Sequence, residues 1–321
     1  MMTILSLNSA SIKEAVALLK QGGLVALPTE TVYGLAGDAT NGKAVSSIFS
    51  TKKRPQFNPL IAHVSSIKMA ERYVEIDFLS RRLMEIFWPG PLTLVLPLRA
   101  QHNIHPLTTC GLDTLAVRFP NSCFAEIIQC FGRPLAAPSA NQSGRLSPTS
   151  AEAVLASLGE TVPLILDGGF CKIGIESTII KVCDESIYLL RPGGLAAEEI
   201  EEVVGKSLKR IDQQAVIEAP GMLKSHYAPN TMIRLNAQRV ESDEALLAFG
   251  RKRIMGVENA VAVLNLSEGG QLEEAASHLF QYMRELDSFK VKSIAVEPIP
   301  SYGLGEAIND RLIRAAAPKE K

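Results

Sequence analysis

Lys52, Lys53 and Arg54 stand side by side in STKKRPQFNPLIAHV, residues 50–64, ahead of an apolar run of strand character. A second segment, LAAPSANQSGRLSPT at 135–149, gathers Ser139, Asn141, Ser143, Arg145 and Ser147 without one carboxylate. Converging cations repel one another and are costly to desolvate. A polyanion such as a triphosphate is therefore their natural partner, with neutral hydroxyl and amide donors closing around it. The same residues also fit a solvated basic turn beside an unrelated polar loop, because short charge runs are common on protein surfaces.

Other candidate motifs are weaker. Gly37 to Ala44 (GDATNGKA) comes close to the phosphate loop GxxxxGK[ST], but Ala44 lacks the hydroxyl that would reach magnesium, and the segment before Gly37 reads as a loop, not a buried strand. Gly303 and Gly305 follow an apolar run, yet Ile308 occupies the third glycine position of a dinucleotide fingerprint, so a tight strand-to-helix turn explains them better. There is no HExxH, no nucleophile elbow and no His/Cys cluster with ligand spacing. PTETVYGL at 28–35 places hydroxyls and a ring where a strand opens into a loop, which suits a small polar ligand and also suits a turn or cap. His63 ends one apolar run. Arg118 ends another, TLAVRF, so its guanidinium must reach out to water or meet a carboxylate, either a substrate's or a structural Asp or Glu.

These groups need a scaffold. SIKEAVALLKQ at 11–21 has helical spacing and stops at Gly22-Gly23, after which LVALP begins a strand. Short apolar runs recur at 61–64, 92–98, 114–119, 163–167, 177–182 and 186–191, with helical patterns near 43–51, 79–87, 122–131 and 150–158. That irregular mixture predicts an α/β first domain of α+β character with a mixed sheet. An acidic helix at 196–204 closes it. Residues 205–230 lose periodicity and read as a linker, and from 231 to 321 three βα units are expected: strand MIRL, helix DEALLAFGRKR, strand VAVLNL, helix LEEAASHLFQYMRELD, strand SIAVEPI and helix GEAINDRLIRAA.

Bulk properties exclude several classes. A chain of 321 residues with 46% apolar content can bury two ordinary cores, and a net charge of −1 argues against a general nucleic-acid coat. Five cysteines without a CxxC pair fit reduced thiols in a cytoplasmic protein and not a disulfide framework. No apolar run reaches membrane-spanning length.

PTETVYGL, KKRPQFNPLIAHV, WPGPLTLVL, LDTLAVRFP, APSANQSGRLSPT, GIESTII and LLRPG occur in that order, and on them residues 12 to about 200 strongly resemble the YrdC-like family. The added domain, entered through SHYAPN, resembles the family's long, two-domain form. The resemblance implies a twisted mixed sheet around a positively lined central cavity over 12–204, a linker and possible lid over 205–230, and a small Rossmann-like domain over 231–321. It implies a reaction as well. L-threonine and bicarbonate form a carbamate that attacks the α-phosphate of ATP, giving threonylcarbamoyl-adenylate and pyrophosphate for the threonylcarbamoyladenosine modification of tRNA. The family's KxR…SxN set falls on Lys52, Arg54, Ser139 and Asn141. By the same carry-over, Arg54, Asn58, Thr114, Ser139, Ser147, Arg191 and Tyr227 contact the nucleotide. Thr29, His63, Arg118, the Ala137 backbone and Ser177 hold threonine. Mg²⁺ accompanies ATP with no protein side chain assigned to it, and a downstream threonylcarbamoyl transferase and tRNA itself are the implied partners. An RNA-binding module without chemistry and a carbamoyl-adenylate enzyme with another acceptor are the competing readings.

Overall fold

The computed structural model of the chain describes residues 3–184, 186–210, 220 and 227–318. Much of the linker expected at 205–230, with Ser225 and His226, lies outside the described residues.

The first helix shows how the local sequence sets the scaffold. Asn8 accepts hydrogen bonds from the backbone N–H groups of Ala10 and Ser11, and the Ser11 hydroxyl accepts one from Asn8 N–H in return, so the first turn of Ser9–Lys20 is closed from both sides. Ile12, Ala15, Val16 and Leu19 recur at helical spacing and are buried. The helix ends as the chain reaches Gly22, whose φ of +79° suits glycine.

Eleven strands form one mixed sheet. Their spatial order is Thr3–Ser6, Leu164–Asp167, Val25–Leu27, Gly34–Asp38, Leu135–Ala136, Ile61–His63, Thr114–Arg118, Leu92–Pro97, Thr178–Cys183, Ser186–Arg191 and Lys209–Arg210. The last of these pairs parallel with Ser186–Arg191, so the sheet continues beyond Val204 into the segment read as linker. Helices Ser9–Lys20 and Cys123–Phe131 cover one apolar cluster, containing Leu19, Leu27, Phe124, Ile128 and Leu166. A larger cluster takes in Ile48 of Gly42–Lys52, Leu83 of Phe78–Phe87 and Val154 of Ala151–Leu158.

The second sheet has four strands, all parallel, in the order Met232–Arg234, Ser293–Val296, Glu244–Ala248, Val263–Asn265. Helices Leu272–Ser288 and Leu304–Ala316 belong to this domain. Its apolar cluster crosses the domain boundary, since Val32, Leu146 and Ile175 of the first domain pack with Leu279, Phe280 and Ile308. Contact there is close: a Cβ on Gly174 would fall 2.5 Å from Ala276 O and from Ser277 Cα, so backbone meets backbone.

Two expectations about local structure are corrected. DEALLAFGRKR is not a helix; Glu244–Ala248 is a fully buried strand with parallel neighbours on both sides. A short run buried on both faces carries no two-residue alternation, and periodicity alone does not separate it from a buried helix. The segment before Gly37 is likewise a strand, Gly34–Asp38, buried throughout. Gly37 to Ala44 thus has the strand–turn–helix context of a phosphate loop, but the helix N-terminus is already occupied. Asn41 accepts from Lys43 and Ala44 N–H, and a Cβ on Gly42 would lie 2.4 Å from His105 Nε2. At the second glycine pair a Cβ on Gly305 would stand 2.0 Å from Pro300 O, the close approach of a tight strand-to-helix turn.

Candidate functional site

Strands Ile61–His63 and Thr114–Arg118 pair in parallel with His63 opposite Arg118, so both side chains sit at the carboxyl ends of neighbouring strands. Open α/β sheets bind ligands at that end. Here both residues line a narrow cavity of about 50 Å³, together with Thr29, Thr31, Ala137, Ser139, Ser177, Arg54, Arg191, Glu176 and Tyr227.

One half of the cavity is built around Arg118. Its Nη1 donates to Thr31 Oγ1 at 2.9 Å, its Nε to Gly90 O at 3.2 Å, and its Nη2 is ion-paired with Glu30 Oε1 at 2.7 Å. Of the two carboxylates left open by the sequence, the structural one is therefore present. Thr29 is held in a hydroxyl turn, accepting from Thr31 and Val32 N–H and donating to Val32 O at 2.6 Å. His63 stacks on Phe124 with ring centroids 5.0 Å apart, and its buried Nδ1 has no hydrogen-bond partner among the described residues. Burial, and then the nearby Arg118 charge, push His63 down to about 3, so at neutral pH the ring is uncharged and its nitrogen is free for a ligand. Ser177 shares a 2.7 Å hydroxyl contact with Thr93, itself opposite Arg118 in the sheet. Ala137 is on the cavity wall, and its N–H already donates to Ile61 O at 3.1 Å.

The other half gathers two more guanidinium groups. Asn58 holds Arg54, accepting from Nη2 at 2.7 Å through Oδ1 and from Nε at 3.0 Å through its carbonyl. Arg191 donates to Ser177 O from Nε at 3.1 Å and from Nη2 at 2.8 Å. Burial lowers both groups, Arg54 to about 10, and a guanidinium starts so high that it stays charged in proteins. With Arg54, Arg118 and Arg191 at 8%, 3% and 4% exposure, the cavity concentrates positive charge that water screens poorly.

Several residues expected at the site support the wall instead of forming it. Lys52, 1% exposed, ends helix Gly42–Lys52, and its Nζ donates to Ser139 O at 2.5 Å and to Asn141 O. Burial, and next Arg54, push its pKa well below the usual lysine range, while the Glu176 carboxylate opposes that shift. Asn141 donates from Nδ2 to Gln142 O and Arg145 O, both at 2.8 Å, so Lys52 and Asn141 together shape the loop that presents Ser139. Ser147 donates to Glu176. Thr114 opens the strand that Arg118 ends and is not on the cavity wall.

Tyr227 is on the wall, 1% exposed, with a left-handed φ of 61°. Its ring lies 5.5 Å from Phe280 and 5.1 Å from the Arg311 guanidinium, both from the second domain. Ala228 N–H donates to Gly144 O at 2.8 Å, which ties this end of the linker to the Ser139 loop.

Sequence reasoning passed over Glu30, Thr31, Glu176 and Arg311. Glu30 and Thr31 lie within the hydroxyl-rich PTETVYGL, and Glu176 within GIESTII, where spacing does not set them apart from their neighbours. Arg311 did leave a signal: it falls at helical spacing with Ala307, Ile308, Leu312 and Ala315, an arginine on an otherwise apolar face.

Known proteins share this two-domain fold. Residues 17–193 match the Sua5/YciO/YrdC family, described as telomere recombination, and residues 195–317 match the C-terminal domain of threonylcarbamoyl-AMP synthase. The chain is 39% identical to the threonylcarbamoyl-AMP synthase of Bacillus subtilis, over 97% of this chain and 94% of that one. It is 40% identical to the threonylcarbamoyl-AMP synthase of Pyrococcus abyssi, over 95% and 94%. The crystal structure of P. abyssi Sua5 complexed with L-threonine superposes with a TM-score of 0.89 at 36% identity, covering 98% of each chain.

Proposed function

This chain belongs to the Sua5/YciO/YrdC family in its two-domain form, and we propose that it is an L-threonylcarbamoyladenylate synthase. The observation that carries this reading is the cavity in which Arg54, Arg118 and Arg191 are buried around the uncharged His63. Such a site holds two anions side by side.

In this reading the threonine carboxylate lies against Arg118, with His63, Thr29, Ala137 and Ser177 around the rest of the amino acid. The phosphates of ATP lie against Arg54 and Arg191, with Ser139 and Tyr227 flanking the nucleotide. Threonine's amine and bicarbonate condense to a carbamate with loss of water. A carbamate oxygen then forms a bond to the α-phosphorus as the bond to the bridging oxygen of the β-phosphate breaks, and pyrophosphate leaves with that electron pair. The protein's task is to place the two anions in line and to offset charge on the phosphates. No protein nucleophile is needed. Mg²⁺ would arrive with ATP as part of the substrate. Among the described residues no cluster of carboxylates, histidines or cysteines is arranged to hold an ion, and Glu176 is engaged by Arg311 and Ser147.

A duplex RNA backbone would not reach these arginines, whose burial argues against an RNA-binding module without chemistry. No helix among the described residues is long and apolar enough to cross a membrane. A cytoplasmic enzyme handing its adenylate to a threonylcarbamoyl transferase, with adenosine in tRNA as final acceptor, is the setting we propose.

Pyrophosphate release from ATP should require L-threonine and bicarbonate together, with threonylcarbamoyl-adenylate identified by mass spectrometry. Comparable release after bicarbonate is removed by acidification and degassing would overturn the mechanism. Replacement of threonine and bicarbonate by carbamoyl phosphate without loss of rate would point to a different acceptor.

A further inference from the structure

An arginine is retained on the apolar face of a helix only where its charge is met. Arg311 on helix Leu304–Ala316 is fully buried, between the two domains. Its Nε donates to Glu176 Oε2 at 2.8 Å, and its Nη1 donates to Pro192 O at 3.0 Å and to Asp310 Oδ2 at 2.7 Å. Glu176 belongs to the first domain and lines the cavity, where its other carboxylate oxygen accepts from Ser147. A carboxylate in this position faces the same space as Arg54 and Arg191. Left uncompensated, it would repel a triphosphate in surroundings where charges are poorly screened.

We propose that Arg311 is a positioning residue for the nucleotide half of the cavity: supplied by the second domain, it neutralises Glu176 and fixes that carboxylate against Ser147, so that a triphosphate can lie against Arg54 and Arg191. The second domain thereby completes, from behind the wall, the electrostatics of a site whose charged wall residues come from the first domain. Threonine binding does not depend on it, because the amino-acid half rests on Arg118, Glu30 and Thr31. The inference rests on ATP being the substrate.

The test uses the full-length protein and three variants. Arg311→Gln keeps an N–H donor for Glu176 while removing the charge, Arg311→Lys keeps the charge, and Glu176→Gln/Arg311→Gln removes both charges together. ATP binding is measured by calorimetry in the presence of Mg²⁺, and the KM for threonine by pyrophosphate release. Arg311→Gln should weaken ATP binding on the order of tenfold or more, as expected for one coupled buried charge, with the KM for threonine unchanged. Arg311→Lys and the double variant should each recover most of that loss. Wild-type ATP affinity in Arg311→Gln, a parallel rise in the threonine KM, or a double variant as weak as the single one would overturn the proposal. A wild-type protein that binds ATP yet makes no threonylcarbamoyl-adenylate would remove the reaction assigned above and leave this comparison of affinities intact.

Discussion

Replacing Lys52 with Met keeps the aliphatic stem and removes the ammonium that donates to Ser139 O and Asn141 O. The sequence alone suggests a cavity cation whose loss would harm turnover far more than folding. The structure changes that expectation, because Lys52 is 1% exposed and joins the end of its helix to the loop that carries Ser139. A hydrogen bond from a charged donor contributes about 1.5–3 kcal/mol, so two such bonds suggest a loss of about 3–6 kcal/mol. Removing a buried charge also removes its desolvation cost, which brings the net to about 2–4 kcal/mol. For one cooperative unit of 321 residues, at about 1.5 °C per kcal/mol, melting should fall by about 3–6 °C. Scanning calorimetry of the full chain beside pyrophosphate release decides the matter. A Lys52→Met protein that melts within about 2 °C of the wild type while losing turnover would refute the supporting role and return Lys52 to direct action on the phosphates.

Further outcomes follow from the His63 and Tyr227 environments. His63 is held at about 3, below its ordinary value of 6.5. Its contribution to stability is therefore complete above pH 6.5 and declines as pH falls toward 3, by about 1.4 kcal/mol per pH unit. His63→Gln should lack that slope, and melting curves that run parallel for the two proteins between pH 7 and about 4.5 would contradict it. Tyr227→Ala should weaken nucleotide binding about tenfold, whereas Tyr227→Phe, which keeps a ring between Phe280 and Arg311, should bind nearly as the wild type. Unchanged affinity in Tyr227→Ala would remove the ring from the nucleotide site.

Helix Ser9–Lys20 was readable because its cap, its apolar spacing and its glycine stop all lie within a few residues of one another. The strands Ile61–His63 and Thr114–Arg118 were visible as apolar runs, and a polar residue ending each run pointed to the site. Gly34–Asp38 was missed because small residues and glycines carry little strand propensity, and burial between neighbouring strands decides their conformation. The same override makes a strand of Glu244–Ala248. At the site, residue types were legible but their orientation was not. That Lys52 turns onto carbonyls of the Ser139 loop, or that Arg118 already meets Glu30, depends on contacts spanning 87 to 89 residues of chain. Spacing within a motif carries no information about such partners.

The apolar cluster shared by the two domains has a thermodynamic consequence. Val32, Leu146 and Ile175 are covered by second-domain residues, and Gly174 lies against the backbone of helix Leu272–Ser288. Separating the domains would bare apolar surface on both at once, so local opening at this seam is as costly as opening a core. The join between the two family matches, at residues 193 and 195, is thus a boundary in sequence that no boundary in stability follows. Any ligand that binds only the closed cavity stabilises the whole cooperative unit by mass action, and amide hydrogens on helix Leu272–Ser288, far along the chain from Arg54 and Arg118, should exchange more slowly when the cavity is filled.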